Sequence, residues 1–111
     1  MKITKEQAIK HGRPGVEGIY YQLPEVRGGT TIAYATFTGE HGERTIGDTP
    51  RVYYITKGTA KFIINNQEIE AQQGDIVTIP TNGTYNLFPI TPSVEVILFM
   101  EFLDFGKLPK K

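Results

Sequence analysis

The sequence predicts an all-β sandwich or barrel, and three observations carry that expectation. Runs of β-branched and aromatic residues recur with turn residues between them about every eight to twelve positions. No stretch sustains the apolar period of about 3.6 residues that a long amphipathic helix requires. Twelve glycines and seven prolines in 111 residues supply the punctuation that many short strands need.

Taken in order, the chain begins with Thr4 and Gln7 in the spacing of a capping box, which predicts a short helix over Glu6 to Lys10 ended by Gly12. Arg13-Pro14-Gly15 breaks the chain, and Ile19 to Leu23 has strand composition up to Pro24. Arg27-Gly28-Gly29 reads as a loop, Thr30 to Thr38 as a strand, and Glu40 to Pro50 as a polar segment. Arg51 to Thr56 and Ala60 to Ile64 are two strand-like runs whose separation by Lys57-Gly58-Thr59 predicts a hairpin. Asn65-Asn66 supplies the next turn, because asparagine tolerates the left-handed conformation, and Gln67 to Ala71 returns as a polar strand. After Gln73-Gly74-Asp75 come Ile76 to Ile79 and Thr84 to Phe88, each stopped by a proline. The last run, Ser93 to Phe105, puts Val94, Val96, Leu98, Met100 and Phe102 on one parity and Ile97 and Phe99 on the other. The basic tail, 106–111, is expected to fray.

Composition excludes several function classes. Twelve Lys plus Arg balance twelve Asp plus Glu, so the chain has no basic field for nucleic acid or an anionic membrane. Without cysteine there is neither a disulfide framework nor a thiolate metal site. Residues 1–6 lack the apolar stretch of a signal peptide, no later run approaches a membrane span, and a cytoplasmic location is the expectation. Asn82-Gly83-Thr84 has the form of a glycosylation acceptor but reads better as a turn.

Two frames of punctuation organise the middle of the chain. Gly39, Thr45, Gly47, Arg51 and Gly58 form the first, and Gly74, Pro80, Asn82, Tyr85 and Pro89 the second. Their spacing resembles the two-part motif of the cupin family, G(x)5HxH(x)3,4E(x)6G followed by G(x)5PxG(x)2H(x)3N, with no insertion in either part. The resemblance implies one cupin domain over 1–111, a double-stranded β-helix or jelly-roll barrel, with a short helix accommodated in an N-terminal segment over 1–16. It also implies that each frame is a β-hairpin module, with the linking strands from Thr59 to Ala71 between them. The glycine and proline scaffold is kept, while the family's metal ligands are replaced by Thr45, Gly47, Arg51 and Tyr85.

Those replacements set the functional expectation. A divalent metal needs about three or four converging imidazole or carboxylate donors. An alcohol, a glycine, a fixed cation and one phenol do not make such a site, so neither metal nor other cofactor is expected. His11 and His41 read as surface-loop histidines, and Tyr34, Tyr53 and Tyr54 as core aromatics. The leading reading is a metal-free binding module that takes a small, anionic organic molecule in the barrel mouth, lined by Arg51, Tyr53, Tyr85 and Arg44, with His41 as a further ligand-binding candidate. In that reading Arg51 sits where the family has an inward-pointing glutamate, and its charge demands either an anionic ligand or an internal carboxylate such as Glu43, Glu95 or Glu101. A second reading, resembling the cupins that isomerise or epimerise sugar nucleotides, is a metal-independent enzyme with His41 and a tyrosine as base and acid. A third is an interaction domain whose pocket is filled. The apolar second face of Ser93 to Phe105, with Val52 and Tyr54 beside it, predicts a homodimer.

Overall fold

The structure, a computed structural model, describes residues 2–103, so the end of the last run at Phe105 and the tail over 106–111 lie outside the described residues. Two antiparallel sheets face each other. The larger is ordered β1 (Ile9–Arg13), β2 (Val16–Leu23), β3 (Thr30–Phe37), β10 (Val94–Glu101), β5 (Arg51–Lys57) and β8 (Ile76–Ile79). The smaller is ordered β4 (Arg44–Thr45), β9 (Thr84–Pro89), β6 (Thr59–Ile64) and β7 (Gln67–Gln72). From β3 onward nearly every connection changes sheet, and only β6 and β7 stay together as a hairpin. This double winding is the expected jelly roll. Among the described residues no helix is long and apolar enough to cross a membrane.

Strand alternation places the core. Ala33, Ala35 and Phe37 of β3, Tyr53 and Ile55 of β5 and Val94, Val96, Leu98 and Met100 of β10 point inward. They meet Phe62 of β6 and Leu87 of β9 from the other sheet. Asn65 and Asn66, with φ of 49° and 68°, make the tight β6–β7 turn that the sequence calls for.

Several local expectations are corrected. The predicted helix over Glu6 to Lys10 is only a 3-10 turn at Lys5–Gln7, where Gln7 Oε1 accepts from the Thr4 amide at 2.8 Å. Ile9–Arg13 is instead an edge strand, because its backbone pairs with Val16–Tyr20 and that ladder outweighs a weak local helix preference. Lys57-Gly58-Thr59 does not close a hairpin: β5 pairs with β10 and β8, while β6 pairs with β7 and β9. The chain crosses between sheets there, and Gly58 is required both by its φ of +86° and because a Cβ would lie 2.4 Å from the Ser93 carbonyl oxygen. For the same reason neither glycine frame is a hairpin module, since β4 and β5, like β8 and β9, belong to different sheets. Tyr53 is a core aromatic, but Tyr34 and Tyr54 are exposed on the outer face of the larger sheet. The last strand ends at Glu101, and Phe102 is exposed.

Candidate functional site

One end of the barrel holds a cavity of about 400 Å³ between the larger sheet, the β1–β2 hairpin and the loop that follows β3. Leu98, Met100 and Leu103 form an apolar wall, and Arg51, Tyr53, His41, Tyr20, Arg13 and Arg44 bring the polar groups. A concavity of about 480 Å³ lies outside the barrel near Lys10, Glu17 and Tyr34. The internal cavity is the candidate site because buried polar side chains converge on it.

Arg51 opens β5, and strand alternation sends its side chain inward beside Tyr53. Only 4% of that side chain is exposed, so its charge needs a partner. Glu101, at the end of the adjacent β10, supplies one through a two-pronged contact: Nη2 to Oε2 at 2.8 Å and Nε to Oε1 at 3.2 Å. The third arm, Nη1, donates to the Tyr85 hydroxyl at 3.1 Å, and the Tyr85 and Tyr53 hydroxyls hydrogen-bond to each other. Of the two partners that the charge of Arg51 demanded, an anionic ligand or an internal carboxylate, the structure supplies the carboxylate, Glu101. Burial alone would lower the guanidinium's pKa, but its bonds to Glu101 and its closeness to Tyr85 hold it above the ordinary value. Burial likewise works to raise the Glu101 carboxyl, and Arg51 more than offsets it, leaving a lowered pKa.

A guanidinium only donates, so the Tyr85 oxygen accepts from Arg51. Either phenol can donate in the Tyr85–Tyr53 bond; when Tyr85 donates to the Tyr53 oxygen, the Tyr53 proton is left for the cavity. Burial raises the Tyr53 phenol well above its ordinary pKa, so at neutral pH it is a protonated donor. Tyr85 and Tyr53 are both almost fully buried, 1% and 0% exposed, and of the two Tyr53 is the one that lines the cavity.

His41 sits in the loop between β3 and β4, on the cavity, which corrects the surface-loop expectation. Its ring packs against Tyr85 with centroids 5.2 Å apart and against Phe37 at 5.8 Å. Nδ1 lies 2.7 Å from the Gly42 carbonyl oxygen, and because a carbonyl only accepts, this partner assigns the proton to Nδ1 and the lone pair to Nε2. Burial lowers the imidazole to a pKa of about 4, with Arg13, Arg44 and Arg51 adding to the shift and the Gly42 carbonyl opposing it. At neutral pH His41 is thus an uncharged base. Arg44, exposed on the short β4, stands at the rim.

Sequence reasoning missed Arg13, Tyr20 and His11. The first donates to the His41 carbonyl from the β1–β2 hairpin. Tyr20 and His11, ring centroids 6.2 Å apart, line the cavity from β2 and β1, and the second of these corrects the other surface-loop expectation. The inward parity of Tyr20 was available from its strand, but β1 could not be recognised without its partner.

The four positions that match the family's metal ligands do not fit a divalent ion. Thr45 Oγ1 is 2.7 Å from Thr84 Oγ1 on the exposed β4–β9 edge, Gly47 offers no donor, and Arg51 and Tyr85 are engaged with each other. Among the described residues no other group of three or more His, Asp or Glu side chains gathers into a metal site.

No protein-family profile and no curated protein matches the chain. Solved structures do. Pac13, described as a unique nucleoside dehydratase, is 21% identical with a TM-score of 0.79, over 96% of this chain and 86% of its own. Further structures of Streptomyces Pac13 hold uridine, in variants with a tyrosine replaced by phenylalanine or a histidine by glutamine. KdgF from Halomonas is 14% identical with a TM-score of 0.73, over 91% of this chain and 93% of its own. The cupin domain of Cnp3 from Schizosaccharomyces pombe is 12% identical with a TM-score of 0.66, over 81% of this chain and 75% of its own. The double winding and these likenesses agree: the protein has the cupin fold.

Proposed function

We propose that this protein is a metal-independent enzyme that takes a small polar molecule of the sugar or nucleoside class into the barrel mouth and moves protons on it. The observation that carries the reading is the presence, in one cavity, of an uncharged imidazole with Nε2 unprotonated and of Tyr53 backed by Tyr85 and Arg51. These are a base and an acid with a cation placed to stabilise charge left behind. The likeness to a nucleoside dehydratase favours elimination of water as the reaction. His41 Nε2 takes a proton from a carbon next to a carbonyl, a carbon–carbon double bond forms, and the neighbouring C–O bond breaks. The hydroxyl leaves as water with the proton of Tyr53, the Tyr85 proton shifts to Tyr53, and the negative charge rests beside Arg51. Proton exchange between His41 and the phenol pair through solvent restores the starting state, with no oxidant or reductant needed.

A second reading, binding of an anionic molecule without turnover, is favoured by the rim. Arg13 and Arg44 have no carboxylate within ion-pair distance among the described residues, and Arg51 is already paired. The proposal also includes a homodimer through the outer face of the larger sheet.

The test combines thermal-shift binding of uridine, free sugars and their phosphates with mass spectrometry of each mixture. A ligand that stabilises the protein, a product lighter by one water, and a His41→Gln variant that binds but does not turn over are expected. Binding of phosphates alone, without product and lost in an Arg13→Gln/Arg44→Gln variant, would replace the enzyme with the binding module. If no member of the panel shifts the melting temperature, the substrate class is wrong.

A further inference from the structure

Asn86 is a buried polar residue on β9 that the proposed chemistry does not use. Its side-chain oxygen accepts from the amide of Gly42 at 2.9 Å and from its own neighbour Leu87 at 2.8 Å. Its amide nitrogen donates to Glu40 Oε2 at 2.6 Å. The loop that carries His41 is thus gripped on both sides of that residue, and the His41 amide adds a bond to the Leu87 carbonyl at 2.9 Å.

The decisive feature is the single peptide unit between His41 and Gly42. Its carbonyl accepts from Arg13 Nη2, and its N–H donates to Asn86 Oδ1, so the plane is held at both ends by residues from two different sheets. Gly42 then turns with φ of +97°, a conformation glycine adopts without penalty, and its own carbonyl comes back to within 2.7 Å of His41 Nδ1. An imidazole in water exchanges freely between its two neutral tautomers. Here one ring nitrogen faces an acceptor whose position follows from a plane that Asn86 and Arg13 hold.

We infer that Asn86 is a positioning residue: with Glu40 as its anchor, it fixes the His41–Gly42 peptide so that the imidazole carries its proton on Nδ1 and presents Nε2 as the base. The inference rests on the proposed role of His41, but its test does not require turnover. Asn86 acts only through the loop and has no role as an acid or base.

The experiment is a long-range proton–nitrogen NMR correlation of the labelled full chain at neutral pH, with the His41 signals identified by their loss in His41→Gln. The wild type is expected in the Nδ1–H tautomer. Asn86→Leu should move half or more of the population to Nε2–H, the form that free histidine favours. Glu40→Gln alone keeps the acceptor oxygen and should leave the tautomer unchanged. The swap Asn86→Asp/Glu40→Gln reverses the direction of one hydrogen bond while preserving both acceptor contacts to the loop, and should restore Nδ1–H. If Asn86→Leu does not fold, Asn86→Asp alone serves, because it sets two carboxylates against each other and should loosen the loop in the same sense. A folded Asn86 variant with the wild-type tautomer, or a shift that the swap does not reverse, overturns the inference. A reversible tautomer shift without any detectable turnover in the wild type would keep the clamp and remove the catalytic reading of His41.

Discussion

The two faces of β5 depart from the usual relation between polarity and exposure, whereas its neighbour β10 keeps Val94, Val96, Leu98 and Met100 inside. Facing inward, Arg51 and Tyr53 are buried and bonded into a chain that runs Glu101, Arg51, Tyr85, Tyr53. Facing outward, Tyr34, Ile97, Tyr54 and Ile76 lie in one register across four strands, and Tyr54, Phe99 and Ile76 are 39%, 42% and 64% exposed. A strand selected only for stability would carry these residues the other way round. The inner face is tolerable because no buried side-chain nitrogen or oxygen lacks a partner among the described residues. The outer face has no such internal remedy, and it is this row that the proposed homodimer would cover.

The largest effect should come from breaking the inner chain. Glu101→Gln leaves the Arg51 cation buried without its counter-charge and should cost about 3 kcal/mol in urea denaturation, whereas Arg51→Met/Glu101→Leu should recover most of that loss. A cost below about 1 kcal/mol for the single change would mean that solvent, not Glu101, neutralises Arg51, and the anion-seeking role would return.

An effect of similar or smaller size should appear on acidification. His41 has a folded pKa of about 4 against an ordinary 6.5, so between those values the unfolded chain binds more protons than the folded one. Stability is complete above about pH 6.5 and should fall by up to roughly 3 kcal/mol as pH drops to about 4. Glu101, whose folded pKa is also lowered, adds a loss in the same direction at the acid end. His41→Gln should flatten the upper part of the profile, and a wild-type midpoint that does not move between pH 7 and pH 5 would place the imidazole in water.

The smallest effect on stability should be on the outer face, where it is nevertheless the most informative about assembly. Ile76→Lys and Tyr54→Lys should change the stability of a single chain by less than about 0.5 kcal/mol, since neither fills the core. In light scattering at micromolar concentration the wild type should have the mass of two chains, and the double variant that of one. A monomeric wild type would leave the apolar row without a purpose and remove half of the contrast drawn here.

Much of this molecule was legible in local chemistry. Strand composition, proline stops and the Asn65-Asn66 turn act over a few residues, so β3 and β5 to β10 follow from the sequence, but not their inward faces, since Tyr34 and Tyr54 read as core aromatics. The glycine and proline frames, by their spacing, pointed to the jelly roll and to Arg51 as an inward cation. Tertiary structure alone decided the rest. Ile9-Lys10-His11-Gly12-Arg13 becomes a strand only against Val16–Tyr20, and Lys57-Gly58-Thr59 separates two sheets only because β10 and β9 claim its flanking strands. The first frame put Arg51 in the slot of an inward glutamate but did not say which carboxylate, 50 residues away, would meet it. The second matched Tyr85 to another ligand slot but did not bring it to Tyr53. The state of His41 was least accessible of all, since it depends on burial, on Arg13 from one sheet, on Asn86 from the other, and on a glycine carbonyl turned back toward the ring. Short-range order is written in neighbouring residues; the tautomer and charge of a buried group depend on atoms that folding alone brings within hydrogen-bond distance.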